Sequence, residues 1–336
     1  MKKISIIIPT FNRADFLDQA IKSILSQTSD DFEIIISDNA STDHTSNVIE
    51  KYKTDHRIHY HKNETNIGMV ANWRKAIFEH SRCEWFIIMS DDDYFIDNNY
   101  ISDALQILEE HQLSLLYANG YILNTRNGKM TTLKNSANGV LNGIDVFTSR
   151  GTITPQDFTL CNVIFKRSIA EKYNAFSERA NYSCDTELFL NSCLEGNVYF
   201  HNRIVSTYRI HGMNLIGQVE HNTELTVGNL NAFLSPYENS KGILSDAQQK
   251  KYVQNTGLIS MIRQACIVTF TSKDTTSIEN INRIKNKHPA LFEKATQSLL
   301  YKTELYLKKN NPLIYSKYSI LSSLWKRIKI KLKYTF

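Results

Sequence analysis

Residues that interrupt regular structure are scarce, with five prolines and twelve glycines in 336 residues. That excludes collagen-like and low-complexity organisation. No apolar run approaches the roughly 18 residues of a membrane-crossing helix, so no such helix is expected. Met1-Lys2-Lys3 and the apolar residues 4–8 could be misread as a signal peptide. The apolar run is too short and no small-residue cleavage site follows, so it reads as a first strand and the protein is expected to stay in the cytoplasm. Cysteine is sparse and odd in number: Cys83, Cys161, Cys184, Cys193 and Cys266, with no C-x-x-C pair. This fits neither a disulfide framework nor a zinc site; buried thiols are expected.

What is present suffices for a large α/β domain and an appendage. Hydrophobic residues make up 42% and charged residues 22%, a globular balance. The net charge of +5 is unevenly spread. Residues 301–336 carry nine Lys or Arg against Glu304 alone, so the rest of the chain is slightly acidic. A basic tail on an acidic body bears on location.

Strand and helix signals alternate over the first 120 residues. Residues 4–8 form an apolar strand closed by Pro9. Phe16, Leu17, Ala20, Ile21, Ile24 and Leu25 mark a helical stripe over 14–27, with Asn12 placed to cap it. Strands are expected at 32–36, 57–61 and 85–89, and helices at 45–52, 69–80 and 100–108. This alternation predicts a mostly parallel sheet covered by helices on both faces. Further on, 115–121 and 160–165 read as strands, 127–142 as a mobile loop, 185–194 as a helix and 198–210 as an edge strand. Beyond 220 the chain reads as helical, with a capping box at Ser245 and Gln248.

In open α/β sheets ligands bind beyond the carboxyl ends of the strands. Four strands end in polar runs there: Pro9-Thr10-Phe11-Asn12-Arg13, Ser37-Asp38-Asn39-Ala40-Ser41-Thr42-Asp43, Asn66-Ile67-Gly68 and Asp91-Asp92-Asp93. No glycine-rich dinucleotide or P-loop motif is present. Three adjacent carboxylates repel one another unless a cation or hydrogen bonds neutralise them. Such oxygen donors suit Mg²⁺ or Mn²⁺ carrying a diphosphate; the alternative is a solvated turn that caps the next helix.

At these residues the chain resembles family 2 glycosyltransferases of the GT-A fold. Ile6-Ile7-Ile8-Pro9-Thr10-Phe11-Asn12-Arg13 is similar to that family's opening. The strand into Ser37-Asp38-Asn39-Ala40-Ser41-Thr42-Asp43 resembles its second signature, Asn66-Ile67-Gly68 with Asn72 its third, and Asp91-Asp92-Asp93 its DxD motif. Cys184-Asp185-Thr186-Glu187-Leu188 resembles a Glu-Asp-x-x-Leu segment, and Tyr208-Arg209-Ile210-His211-Gly212-Met213-Asn214 a Tyr-Arg-x-His segment. The motifs keep the family's order across about residues 4–215.

The resemblance implies a Rossmann-like, mostly parallel sheet flanked by helices, with a helical C-terminal extension. Residues 1–220 would be the catalytic domain (1–115 for the nucleotide, 116–220 for the acceptor), 221–300 the extension and 301–336 a basic tail. It also implies roles. Asp38 would bind a nucleotide base, uracil by this reading, in a pocket lined by Pro9, Thr10 and Arg13, with Asn66, Gly68, Asp91 and Asp92 completing the nucleotide site. Asp93 and His211 would hold Mn²⁺ or Mg²⁺, and Asp185 would be the general base of an inverting transfer. Cys184 stands where the family has Glu, which leaves Glu187 as the competing acid. The implied partners are a nucleotide-sugar, a UDP-sugar by this reading, and a lipid-linked oligosaccharide or polysaccharide acceptor in O-antigen or capsule synthesis. The competing readings are a non-catalytic sugar-nucleotide-binding scaffold and a nucleotidyltransferase, the latter opposed by the lack of glycine in residues 9–13.

Elsewhere the plain readings hold. His44, His56, His59 and His61 have no spacing that puts three on one face, and Trp73 and Trp85 read as core. Asn66 and Asn72 either pair with backbone or touch a donor. Trp325-Lys326-Arg327-Ile328-Lys329-Ile330-Lys331-Leu332-Lys333-Tyr334 interleaves basic and apolar residues. Such a segment suits an anionic membrane surface at ~1 kcal/mol per basic residue, placing the protein at the inner face of the cell membrane. Basic charge confined to one end argues against nucleic acid.

Overall fold

The computed structural model describes residues 2–133, 137–149, 159–177, 182–212, 223–270, 275–311 and 315. Its centre is β1 (Ile4–Thr10), in which every residue is buried. A run this rich in isoleucine and buried throughout belongs in a strand covered on both faces. β1 pairs in parallel with β2 (Phe32–Asp38) on one side and β4 (Trp85–Ile88) on the other, and β3 (Ile58–Lys62) extends the sheet beyond β2. Between the strands run α1 (Ala14–Leu25), α2 (Thr45–Glu50) and α3 (Met69–Lys75). α3 passes into a π-helical turn over Ala76–His80, whose end is tied down by Arg167 Nη2 donating to the Phe78 carbonyl at 3.0 Å.

Past β4 come a short strand β5 (Tyr94–Phe95), α4 (Tyr100–Glu110) and the long β6 (Leu113–Asn124). β7 (Lys129–Leu133), β8 (Gly139–Leu141), α5 (Gly143–Thr148), β9 (Val163–Lys166), α6 (Arg167–Lys172), α7 (Cys184–Cys193) and β10 (Asn197–Ile210) complete the sheet and its covering. The order is β3-β2-β1-β4-β9-β6-β10-β5, with β7 on β6 and β8 on β10. β9 is antiparallel to both β4 and β6, so β1, β2, β3, β4, β6 and β10 all point one way. Trp73 and Trp85 are core residues, and all five cysteines are buried and free.

Three local expectations change. Residues 127–142 hold β7 and β8 rather than a loop, because backbone pairing to β6 and β10 supplies order that a polar sequence does not advertise. β10 is no bare edge: β6 pairs along one side of it, while β5 and β8 cover parts of the other. Asn12 does not cap α1. It sits at a left-handed φ of 53°, and the Ala14 N–H is met instead by Asp43 Oδ2 at 3.0 Å. The capping box holds, with Ser245 N–H donating to Gln248 Oε1 at 3.0 Å and Gln248 N–H to Ser245 Oγ at 3.4 Å.

The chain divides into two compact units, Met1–Gln218 with Asn231–Thr256, and Val219–Leu230 with Gly257–Phe336. In the first, helix Asp246–Thr256 packs on α5: Tyr252 stacks on Phe147 at 4.3 Å, and Asn255 Nδ2 donates to the Thr148 carbonyl at 2.7 Å. In the second, helix Leu258–Phe270 buries Leu258, Ile262, Ala265 and Ile267. Among the described residues no helix is long and apolar enough to cross a membrane.

At the start of α5, a Cβ on Gly143 would lie 2.0 Å from the Gly196 carbonyl oxygen and 2.2 Å from that of Cys193. Backbone cannot yield there, so Gly143→Ala should cost about 2 kcal/mol or more. Urea unfolding at neutral pH checks this, and α7, which carries Asp185, is the element it would disturb.

Candidate active site

Because β1, β2 and β4 are parallel, their carboxyl ends share one edge of the sheet, with Thr10 level with Asp38. β4 runs out into the Asp91–Asp93 turn there. The three carboxylates are 3%, 3% and 1% exposed, and the next element is strand β5. A solvated helix cap is therefore excluded. The chain has instead buried three acids side by side, which demands compensation.

Two arginines and a histidine supply it. Arg13, at the mouth of α1, reaches Asp91 Oδ1 at 3.1 Å and Asp92 Oδ2 at 3.0 Å, and Thr10 Oγ1 donates to Asp91 Oδ2 at 2.7 Å. Pairing of β5 with Ser206 and Thr207 brings the end of β10 alongside the turn. Arg209 then donates its backbone N–H to Asp93 Oδ1 at 3.0 Å and its Nε to the Asp92 carbonyl. Its guanidinium lies between the rings of Phe16 and Tyr94, 4.8 and 5.0 Å from their centroids, and Nη1 donates to Gln19 Oε1 at 2.7 Å. His211 Nε2 lies 2.8 Å from Asp92 Oδ2 and its ring stacks on Phe16 at 5.0 Å.

The compensation is partial. Burial pushes the Asp91 carboxyl up to about 6 despite Arg13, and Asp92 adds to the rise. Burial, then Asp92, raises Asp93 well above the ordinary range. Burial works against charge on Arg13, but Asp91 and Asp92 outweigh it and hold the guanidinium charged. This is a fold that tolerates negative charge for which a cation would be the natural partner. Carboxylate oxygens with one imidazole are donors that Mg²⁺ and Mn²⁺ accept, so the residues present fit such an ion. Among the described residues no three His, Cys, Asp or Glu side chains form a ready-made metal cage.

The predicted residues fall into two groups. Thr10, Arg13, Asp91, Asp92, Asp93 and His211 come together around the turn, while Pro9 precedes Thr10 on β1 and pairs in register with Ser37. Asp38 lies at the end of β2 and is fully buried, with Oδ1 accepting the Ser41 N–H at 2.7 Å and Oδ2 the Tyr60 hydroxyl at 2.6 Å. Burial and this bond push the Tyr60 hydroxyl up to about 12. Asp38 thus pins a loop in which Ala40 takes a left-handed φ of 67°, an uncommon backbone for a residue with a Cβ.

Asn66 and Asn72 pair with protein groups. Asn66 Oδ1 accepts the Gly68 N–H at 2.9 Å and Asn39 Nδ2 at 2.8 Å; Asn72 joins Ser37 and Asn63. Asp185 stands half-buried on the first turn of α7, where negative charge is favoured. Its field, with those of Asp93 and Asp92, adds to the burial that raises the Tyr208 hydroxyl. Glu187 is also half-buried in that first turn.

Sequence reasoning assigned no role to Phe16, Gln19 or Tyr60. Phe16 and Gln19 are one helical turn apart on α1, a spacing visible in the sequence; nothing local marks Tyr60. Met213 and Asn214, and the tail 321–336, lie outside the described residues.

The model of the family described as "Glycosyl transferase family 2" matches residues 5–173. TarS of Staphylococcus aureus, a poly(ribitol-phosphate) beta-N-acetylglucosaminyltransferase, is 28% identical over 139 residues, 41% of this chain and 24% of TarS. The GalNAc(5)-diNAcBac-PP-undecaprenol beta-1,3-glucosyltransferase of Campylobacter jejuni is 30% identical over 217 residues, 62% of this chain and 65% of that protein. The chain therefore spans less than two thirds of either relative. The crystal structure of TarS 1–349 in complex with UDP-GlcNAc superposes with a TM-score of 0.57, covering 85% of this chain and 91% of that one at 14% identity. That of the Pyrobaculum calidifontis mannosyltransferase PcManGT, in complex with GDP-Man and Mn²⁺, gives 0.52 over 96% and 87%, also at 14%. These likenesses establish an α/β fold of GT-A type.

With its folded value near 6, above the usual 3.8, Asp91 stabilises the ligand-free protein fully below about pH 4 and ceases to do so as pH rises through 6. Asp91→Asn should flatten that part of the stability profile. Urea midpoints at pH 4.5 and 7 measure it: their difference should shrink in the variant.

Proposed function

The chain belongs to glycosyl transferase family 2, and from that premise we propose that it is an inverting, metal-dependent glycosyltransferase that moves a sugar from a nucleotide-sugar to a hydroxyl. The observation that carries this reading is the buried Asp91–Asp93 cluster at the carboxyl end of a central strand, with Arg13, Arg209 and His211 drawn onto it.

The donor site is assigned to the strand ends of β1, β2 and β4. Pro9, Thr10 and Arg13 line the nucleotide pocket, with Asn66, Gly68, Asp91 and Asp92 at its rim. Asp38, fully buried with Oδ1 on the Ser41 N–H and Oδ2 on the Tyr60 hydroxyl, acts on base binding through the loop it pins. Asp93 and His211 are the residues assigned to hold Mn²⁺ or Mg²⁺, which supplies positive charge to a departing diphosphate. Arg13 offers fixed positive charge beside the same oxygens. Asp185 serves as general base, taking the proton of the acceptor hydroxyl as that oxygen attacks the anomeric carbon. A single base opposite the leaving group is all that direct displacement needs, and it inverts the anomeric centre.

A UDP-sugar is the proposed donor, supported by the TarS complex with UDP-GlcNAc. A lipid-linked or polymeric acceptor in surface polysaccharide synthesis, O-antigen or capsule, is supported by the acceptors in the names of TarS and the Campylobacter enzyme. We place the protein at the inner face of the cell membrane, held peripherally through the basic segment 321–336.

The first test is a thermal-shift panel of UDP, GDP, CDP and dTDP with and without Mn²⁺. A shift confined to UDP and dependent on the metal is expected; no shift with any nucleotide would overturn the donor site. Asp93→Ala should abolish both the shift and transfer. Asp185→Ala should lower transfer about 100- to 10,000-fold and leave the shift intact. Full turnover by Asp185→Asn would remove it as the base and bring Glu187 forward.

A further inference from the structure

In the second unit, helix Leu299–Asn310 carries one acidic residue, Glu304, and no other acidic side chain occurs from 301 to 336. Glu304 does not face solvent. It is 2% exposed, and its Oε2 accepts Arg263 Nε at 3.0 Å and Gln264 Nε2 at 3.3 Å from helix Leu258–Phe270. Its charge is cancelled internally, so no other acidic residue within 301–336 offsets the nine Lys and Arg there.

The outer face of the same helix is mixed apolar and cationic. Leu299, Lys302, Thr303, Tyr306, Lys309 and Asn310 recur at helical spacing and all are exposed. Leu299 is 80% and Tyr306 62% exposed, unusual values for residues of their size. Tyrosine, with an apolar body and a polar tip, and lysine, whose stem can lie along apolar surface while its ammonium stays wet, suit a water–lipid boundary. A second copy of this chain on the face would set lysine against lysine, which disfavours self-association.

We propose that this face of helix Leu299–Asn310 is a docking surface for an anionic lipid bilayer, with Leu299 and Tyr306 entering the headgroup layer and Lys302 and Lys309 meeting the lipid phosphates. This deepens the membrane assignment made above for residues 321–336 and rests on it. The geometry adds a folded element to that contact, which ties the bilayer to the second unit rather than to the chain end alone.

Co-sedimentation of the full chain with phosphatidylglycerol-containing vesicles, and with pure phosphatidylcholine vesicles, tests it. Binding to the anionic vesicles alone is expected. Lys302→Glu with Lys309→Glu should weaken it about tenfold or more, as should Leu299→Ser with Tyr306→Ser. Both pairs lie on exposed surface, so thermal unfolding should match the parent chain. A third variant replaces Lys326, Arg327, Lys329, Lys331 and Lys333 by Gln. If it loses binding while both helix variants bind as the parent does, the helix surface is refuted and the tail assignment survives. No binding by the parent chain refutes both. If light scattering shows concentration-dependent dimers that Leu299→Ser with Tyr306→Ser abolishes while vesicle binding persists, the face is a self-association surface and the proposal fails. Nucleotide-dependent thermal shifts in the same variants report separately on the transferase reading.

Discussion

The structure turns on the cost of burying three carboxylates in one turn. Asp91, Asp92 and Asp93 are almost fully withdrawn from water, and a carboxylate in such a place persists only with close positive charge or donated hydrogen bonds. The elements around the turn are arranged to provide both. β1 ends at Thr10 with Arg13 just beyond it, and β10 lies close enough for Arg209 to offer backbone and side chain together. Phe16, on α1, holds both the Arg209 guanidinium and the His211 ring. Removing any of these leaves charge in a low-dielectric setting, where it is most expensive.

Next to this charged centre is a neutral one. Asn39, Asn63, Asn66 and Asn72 form a chain of amide hydrogen bonds between the ends of β2 and β3, the turn before α3 and α3 itself. Lys75 and Ser37 complete it. The amides themselves add no charge; Lys75 brings a cation to the network. Rigidity on this side lets the Asn39–Asp43 loop keep a left-handed alanine that a freer loop would relax.

The amino-terminal half was legible because its signals are local. Residues 4–8, 32–36 and 85–89 are apolar runs with one reading, and the stripe from Phe16 to Leu25 has helical period. The site was legible where chemistry clusters in sequence, as in Asp91-Asp92-Asp93. It was obscure where a role depends on partners distant in the chain. Asn12 has the chemistry of a helix cap, but Asp43, from the next loop, fills that place. Residues 127–142 are polar in isolation and become strands only beside β6 and β10. Arg209 stands out in the sequence only through its Tyr-Arg-x-His segment, and its partners emerge when β5 brings it against the acidic turn 116 residues upstream.

That separation has a consequence for how the chain is made. During synthesis from the amino terminus, β1 to β4 and the acidic turn exist well before β10 does. β4 waits for β9 to cover its outer side, and Asp92 and Asp93 wait for Arg209 and His211. Until then Arg13 is the guanidinium that reaches the acids, and the turn has reason to stay hydrated and open. Closure of the centre is therefore a late event that couples the nascent amino-terminal strands to the strand that finishes the sheet.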